Sequence, residues 1–387
     1  MKRVSIFGST GFIGRKAVQI LNNDSCTFEV EALVAKKNSF LLAAQSKTLN
    51  AKMAVVEDEN QYKDLKGLLC GTGIRVACGI DGVLEAASLG IDCAVMAITG
   101  IAALLPVMKL IEVRTGTIAL ASKESVVCGG KLLVDSAESR GVNIIPVDSE
   151  HNALFRVLSC GDKPSKVTLT ASGGPFLRWP HELMRHATLD EALVHPVWQM
   201  GKKISIDSAT MVNKALEVVE AGYFFSLGHD KIDVIVHPES IVHALASYQD
   251  GVTVALMSLP DMSIPIMHAL YWPEKNGIYN GQVDLTSQGS LTFLKPDLGK
   301  FPALRSGFDI LKSSFMHASG IVFNAANEIA VDSFLNSEIG FSDIVNIVLC
   351  VMDKISYGEV TSLGDVMEYD SLGRSVARKV IASLVPC

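Results

Sequence analysis

The chain has 387 residues, enough for two or three domains and for a full hydrophobic core without disulfides or structural metals. Hydrophobic residues make up 49% and charged residues 19%, the reverse of a disordered chain's balance. The formal net charge of -7 argues against a broad electrostatic grip on nucleic acid.

Cysteines stand at Cys26, Cys70, Cys78, Cys93, Cys128, Cys160, Cys350 and Cys387, with no CxxC pair. Scattered thiols in a long chain read as reduced residues of a cytoplasmic protein, and a zinc site is poorly supported. The longest uncharged stretch, residues 93–108, is too short to span a membrane and is interrupted by Gly100 and Pro106. After Met1-Lys2-Arg3 only four residues precede Gly8, which leaves no room for a signal-peptide core.

In chain order, residues 4–7 read as a buried strand, residues 8–14 as a turn, and the stretch to about Asn22 as a helix. Further strands are expected at residues 28–35, 54–56, 91–98, 117–121 and 143–147. Strands alternating with helices predict a mostly parallel α/β sheet. The middle third adds strands at 167–171 and 232–236. Runs at 245–248 and 252–257 flank Gln249-Asp250-Gly251, a hairpin turn, so this part reads as a mixed α/β domain. From residue 276 the pattern dissolves into Gly, Asn, Asp, Ser and Pro, a linker over 276–297. Beyond it, Phe341, Ile344, Val345, Val348, Leu349 and Met352 mark one face of a helix in a C-terminal α-helical part, 298–387.

Gly8, Gly11 and Gly14 punctuate the first strand-turn-helix, a GxxGxxG variant of the dinucleotide fingerprint. Such glycines permit a tight turn and close helix packing, with helix N-terminal amides facing a pyrophosphate. The second strand ends Ala35-Lys36-Lys37-Asn38, where an NAD site usually carries an acid. Two ammonium groups suit a 2′-phosphate, so NADP is favoured over NAD.

Asp148 and Glu150 follow the strand at 143–147. On an extended backbone both would point to one side and would hold a hard divalent ion between them. A lone DxE more often lies on a solvated acidic loop. Asn213, Lys214 and Glu217 fall three and four apart on an expected helix and can share a face. Glu217 can complete a three-carboxylate site, while Ser208, Asn213 and Lys214 offer donors for a phosphate. An ordinary surface Lys-Glu pair is the alternative. Ser172-Gly173-Gly174 allows close backbone approach to a ligand, and His195 and Trp198 share an irregular segment able to close over a site.

The motifs together resemble the 1-deoxy-D-xylulose 5-phosphate reductoisomerase family over nearly the whole chain. They are GSTGFIG from Gly8, ASKES from Ala121, PVDSEHNALF from Pro146, ASGGPF from Ala171 and the long run HPVWQMGKKISIDSATMVNKALEVVEA from His195. HPESIVHALASYQDG from His237, LPDMSIP from Leu259 and FNAANEIAV from Phe323 continue the match. The resemblance implies a cytoplasmic homodimer with an NADPH-binding Rossmann-like domain over 1–147 and a catalytic, dimer-forming domain over 148–275. The 276–297 linker and the helical domain follow.

It further implies that Thr10, Gly11, Phe12 and Ile13 face the NADPH pyrophosphate and that Lys37 and Asn38 lie near its adenosine phosphate, where Lys36 would strengthen the 2′-phosphate contact. Ser122 and Glu124 would lie near the nicotinamide half, and Gly201 would face the cofactor. Asp148, Glu150 and Glu217 would bind Mn2+ or Mg2+. Lys123, Ser149 and Glu150 would contact the substrate's carbonyl and hydroxyl end. Ser172, Ser208, Asn213 and Lys214, with His195, would hold its phosphate under Trp198. His237 matches a position near the site. Phe12, Lys36 and Ser122 depart from the residues common in the family, which are Ser, Gly and Asn.

The implied reaction converts 1-deoxy-D-xylulose 5-phosphate to 2-C-methyl-D-erythritol 4-phosphate by retro-aldol cleavage, re-addition and hydride transfer. Lys123, Glu150, His195 and Trp198 are its candidate catalytic residues. Two competing readings are a plain NADP-dependent dehydrogenase of a small phosphorylated aldehyde and a non-catalytic NADP-binding regulator. The first leaves the carboxylates unexplained. The second predicts a lost metal or phosphate residue, and none is missing.

Overall fold

The computed structural model describes residues 1–159, 163–274, 279 and 281–384. It divides into two compact units. The first comprises Met1–Ser125, Leu133–Asn152 and Asp261–Asn280; the second comprises Val126–Leu132, Ala153–Pro260 and Gly281–Cys387.

The first unit is built on a parallel sheet of seven described strands. These are β1 (Lys2–Phe7), β2 (Phe28–Ala35), β3 (Met53–Val56), β4 (Arg75–Cys78), β5 (Cys93–Met96), β6 (Thr117–Leu120) and β7 (Asn143–Pro146). Their spatial order is β4-β3-β2-β1-β5-β6-β7. The short inner strands MAVV in β3, CAVM in β5 and TIAL in β6 are buried along their whole length, with Thr117 the one polar residue among them. Sheets covered on both faces read as continuous hydrophobic runs, which is why these segments were legible as strands. Ile6 and Phe7 are fully buried, and truncating Ile6 to Ala would cost about 2–5 kcal/mol. β4 escaped the sequence reading because it is an edge strand, Arg-Val-Ala-Cys, with no fully buried residue.

The Ser263–Tyr271 helix also belongs to this unit. It is tied down by Lys2, whose Nζ donates to the carbonyls of Leu270 and Trp272 at 2.8 and 2.9 Å. Lys16 reaches Asp261 at 2.9 Å just before the helix.

The second unit holds a mixed sheet, β8 (Lys166–Ala171), β9 (Ile232–Val236), β10 (Val242–Ser247) and β11 (Thr253–Met257), in the order β11-β10-β8-β9. β8 and β9 are parallel, whereas β10 is antiparallel to both β8 and β11. The β10–β11 hairpin turns as expected, with Gly251 at φ +87 and the Tyr248 amide donating to the Val252 carbonyl.

Helices Pro302–Lys312, Met316–Leu335, Phe341–Lys354 and Leu363–Leu384 follow. On the third of them Phe341, Ile344, Val345 and Val348 are buried, while Leu349 and Met352 are half-buried. Of the expected linker, residues 276–278 and 280 lie outside the described residues, as do Cys160 and Cys387. Leu294 pairs with Val236 as an isolated bridge. No described helix is long and apolar enough to cross a membrane.

Candidate active site

In the first unit β1 lies between β2 and β5, where the strand order reverses, and it delivers the chain to Gly8. Open parallel sheets bind ligands in this crevice. Gly8 sits at φ +89, where a Cβ would lie 2.6 Å from the Ala97 carbonyl oxygen. A Cβ at Gly14 would stand 2.1 Å from the Gly8 carbonyl oxygen, so only glycine lets the helix pack against the turn. Gly11 caps the Phe12–Asn23 helix without a side chain, and the first turn carries no acid. The amides of Phe12 and Ile13 therefore belong to a helix end free to receive an anion, with Thr10 beside them on the turn. Phe12 contributes its backbone to this end, and its ring lies 5.6 Å from the Lys16 ammonium.

Lys36, Lys37 and Asn38 follow β2 and are exposed. The Asn38 carboxamide oxygen accepts from the Leu41 amide at 3.0 Å and caps the next helix. That oxygen is committed to the fold, while both ammonium groups reach solvent.

After β6 the polar residues are buried, and after β7 Asp148, Ser149 and Glu150 are half-buried. Ser122, Lys123 and Glu124 are 3%, 4% and 7% exposed. The Ser122 hydroxyl caps the Lys123–Arg140 helix by accepting from the Ser125 amide, and donates to Glu124 at 3.2 Å. Lys123 Nζ lies 2.7 Å from Asp148 Oδ2, and fully buried His151 places Nδ1 3.3 Å from Asp148 Oδ1. Glu150 accepts the Ser149 hydroxyl.

The extended-backbone argument for Asp148 and Glu150 does not hold. β7 stops at Pro146, and Ser149–Leu158 is helical, so Glu150 lies in its first turn. The Asn152 amide donates to the Asp148 carbonyl at 2.8 Å, as at the start of a helix. Acidic groups at a helix N-terminus also interact favourably with its dipole.

In the second unit the Ser172 loop meets His195. Nδ1 of His195 accepts the amides of Val197 at 3.2 Å and Trp198 at 2.8 Å, which leaves Nε2 to carry the ring hydrogen. Nε2 lies 2.8 Å from the Ser172 hydroxyl, which also accepts the Gly174 amide at 3.2 Å. Burial holds the His195 pKa down at about 4, so the ring is neutral near pH 7. With its lone pairs occupied by these two donors, the Ser172 hydroxyl keeps its own hydrogen available for an acceptor.

Gly174, at φ +67, packs against the last turn of the Lys202–Ala209 helix, which carries Ser208 and begins after Gly201. Trp198 is half-buried, with its ring 6.2 Å from that of His243. On the Val212–Phe224 helix, Asn213 Nδ2 donates to Glu217 Oε1 at 2.5 Å and Lys214 Nζ pairs with Oε2. Glu217 is fully buried and Lys214 nearly so, which separates them from a surface pair.

His237 is also buried, but both ring nitrogens serve the fold, through the Thr292 carbonyl at 2.8 Å and the Ile241 amide at 3.1 Å. Spacing alone does not single out His151 or Asp207. His151 lies in the PVDSEHNALF run three residues after Asp148, a spacing that brings the two together only once Ser149–Leu158 is helical.

A parallel sheet opened by this glycine turn, with carboxylates after its later strands, defines a dinucleotide-binding α/β oxidoreductase. Residues 4–130 match the model of 1-deoxy-D-xylulose 5-phosphate reductoisomerase, and residues 144–225 and 257–376 match models of its C-terminal domains. The chain belongs to the 1-deoxy-D-xylulose 5-phosphate reductoisomerase family.

It is 64% identical over 382 residues to the reductoisomerase of Anaplasma phagocytophilum, covering 99% of each chain. Identity to that of Ehrlichia ruminantium (strain Gardel) is 52%, over 99% of this chain and 100% of the other. The Zymomonas mobilis enzyme, solved in complex with NADPH, superposes with a TM-score of 0.90 at 38% identity, covering 98% of this chain and 99% of that one. A reductoisomerase solved with NADPH, fosmidomycin and magnesium gives 0.93 at 34% identity, with 99% of both chains covered.

Proposed function

We propose that the chain catalyses the NADPH- and divalent-metal-dependent rearrangement and reduction of 1-deoxy-D-xylulose 5-phosphate to 2-C-methyl-D-erythritol 4-phosphate, a step toward isoprenoid precursors. One observation carries this reading. The glycine turn after β1, Lys123 after β6 and Asp148 and Glu150 after β7 occupy the same C-terminal edge of one parallel sheet. A hydride donor seated on the turn thus shares an edge with the polar groups assigned to the reacting carbons. Family membership over the full chain supports the same reaction, as do relatives solved with NADPH and magnesium.

The residues fit both groups. A Cβ at Gly8 or Gly14 would collide with the Ala97 or Gly8 carbonyl oxygen, so only glycine lets the turn close and present the first amides of the helix to a pyrophosphate. Asp148, Glu150 and Glu217 offer only carboxylate oxygens, the donors of a hard ion such as Mg2+ or Mn2+. When bound, the ion supplies Lewis-acid polarisation of the substrate's oxygens and the reduced nicotinamide supplies a hydride.

The chain's own residues do the rest. Lys123 neutralises negative charge developing on the substrate's oxygens. Ser149 and Glu150 contact the same end, where Glu150 is the candidate for proton transfer. Ser172, its hydrogen left available by the His195 contact, joins Ser208, Asn213 and Lys214 on the phosphate. Phosphate binding far from the reacting carbons drives Trp198 over the substrate and excludes water. Ser122 and Glu124 face the nicotinamide, Gly201 faces the cofactor, and Lys36, Lys37 and Asn38 surround the adenosine phosphate.

Functionally the chain divides into a cofactor part over 1–147, a catalytic and dimer-forming part over 148–275, a linker over 276–297 and a helical part over 298–387. A cytoplasmic homodimer is the expected form, and the free thiols among the described residues suit a reducing compartment. The decisive assay mixes protein, 1-deoxy-D-xylulose 5-phosphate, NADPH and Mg2+ or Mn2+ and follows absorbance of the reduced nicotinamide. Metal-dependent oxidation is expected; none from folded, metal-loaded protein sinks the proposal. Oxidation that survives exhaustive chelation would point to a plain dehydrogenase.

A further inference from the structure

Asp207 lies in the last turn of the Lys202–Ala209 helix, one residue before Ser208, and is 1% exposed. A carboxylate this deep is stable only with partners. Lys203, one turn earlier, places Nζ 2.9 Å from Oδ2. Asn327, fully buried within the Met316–Leu335 helix, donates Nδ2 to Oδ1 at 2.7 Å. A Lys-Asp pair at i,i+4 is ordinary on a helix surface. A buried amide from a helix 120 residues further along the chain makes it a tie between two helices.

The position of this tie matters. The Thr210 hydroxyl donates to the carbonyls of Ile206 at 2.9 Å and Asp207 at 3.2 Å, Met211 turns through φ +61, and the helix carrying Asn213 and Lys214 begins at once. This turn has little slack, so the rotation of the Lys202–Ala209 helix about its axis sets where Ser208 stands relative to Asn213. The Ser172 loop abuts the same turn, since a Cβ at Gly174 would lie 2.8 Å from the Ser208 carbonyl oxygen. A bare carboxylate beside a phosphate site would repel its ligand. Here Lys203 neutralises it, and Asn327 holds it toward the Met316–Leu335 helix.

We propose that Asp207 is a positioning residue for the phosphate half of the active site: tied to Asn327, it sets the rotation of the Lys202–Ala209 helix and thereby the placement of Ser208. The inference rests on reading Ser172, Ser208, Asn213 and Lys214 as the phosphate site.

The test compares full-length wild type, Asn327→Ala and Asp207→Asn. Asn327→Ala removes the tie but keeps the Lys203 pair, so it serves even where Asp207→Asn fails to fold. Readouts are the dissociation constant of inorganic phosphate by calorimetry, KM for 1-deoxy-D-xylulose 5-phosphate, kcat, and NADPH affinity by nicotinamide fluorescence. In Asn327→Ala, phosphate affinity should fall about tenfold, KM should rise and kcat should fall with the weakened closure, while NADPH affinity holds. Unchanged phosphate affinity in folded Asn327→Ala overturns the proposal. So does an equal loss of phosphate and NADPH affinity, which would signal general loosening. Wild type that binds phosphate yet never oxidises NADPH would instead overturn the functional reading, and the inference with it.

Discussion

Lys123 and Asp148 form a buried ion pair, Nζ to Oδ2 at 2.7 Å, with 5% and 13% of their side chains exposed. Replacing Lys123 with Met leaves the carboxylate without its nearest cation, so the ion-free protein should lose about 3 kcal/mol of stability. Mg2+ should then recover a larger share of stability in the variant than in wild type, because the ion takes over neutralisation of Asp148. Thermal unfolding with and without Mg2+ measures this; equal shifts in both proteins would remove Asp148 from the metal site. Turnover should fall by about two orders of magnitude with the oxyanion contact gone.

Glu217 is fully buried between Asn213 and Lys214. Glu217→Gln keeps the volume and removes the charge. Metal affinity should drop by more than about tenfold, with turnover falling alongside and NADPH binding nearly intact. Unchanged metal titration would strike Glu217 from the ligand set.

His195 provides a pH signature. Burial lowers its pKa from 6.5 to about 4, so between those values the unfolded chain binds a proton that the folded chain refuses. The stability linked to this group is complete above pH 6.5 and is lost as pH falls toward 4. Its ring should remain neutral at pH 6 by NMR, and His195→Gln should flatten stability against pH across that window. A ring titrating near 6.5 would contradict the buried geometry.

Gly14→Ala tests the dinucleotide turn. Its Cβ would lie 2.1 Å from the Gly8 carbonyl oxygen, a contact that backbone cannot absorb without opening the turn. NADPH affinity should fall by more than about tenfold, read from nicotinamide fluorescence. Wild-type affinity in the variant would place the cofactor elsewhere.

Lys36 and Lys37 are exposed after β2 and should act on the 2′-phosphate alone. Alanine at both positions should weaken NADPH about tenfold or more, leave NADH unchanged and lose most of its effect in high salt. A parallel loss for NADH would mean that the lysines support the fold rather than select the cofactor.

Much of this was legible because it is local. Residues 28–35 were expected as a strand and form β2 with the same limits: Phe28 and Val30 alternate with half-buried Glu29 and Glu31, and the buried apolar run Ala32–Ala35 follows. The spacing of Gly8, Gly11 and Gly14 encodes a close approach within one turn. Asn213, Lys214 and Glu217 share a helix face because three- and four-residue spacing places them there.

Other features depend on distant partners. The helix start at Ser149 overrode the extended reading of Asp148 and Glu150, because Pro146 ends the strand. β4 owes its existence to pairing with β3 rather than to any pattern of its own. The neutral state of His195 depends on burial and on amides arranged by its loop. Asp207 looks like any helical acid until Asn327 is brought to it across 120 residues of chain. Spacing and residue type named the chemistry, because they govern which groups one turn of backbone can present. Burial and long-range contact set the charge state and aim of those groups, because desolvation and hydrogen-bond partners exist only once the chain has folded back on itself.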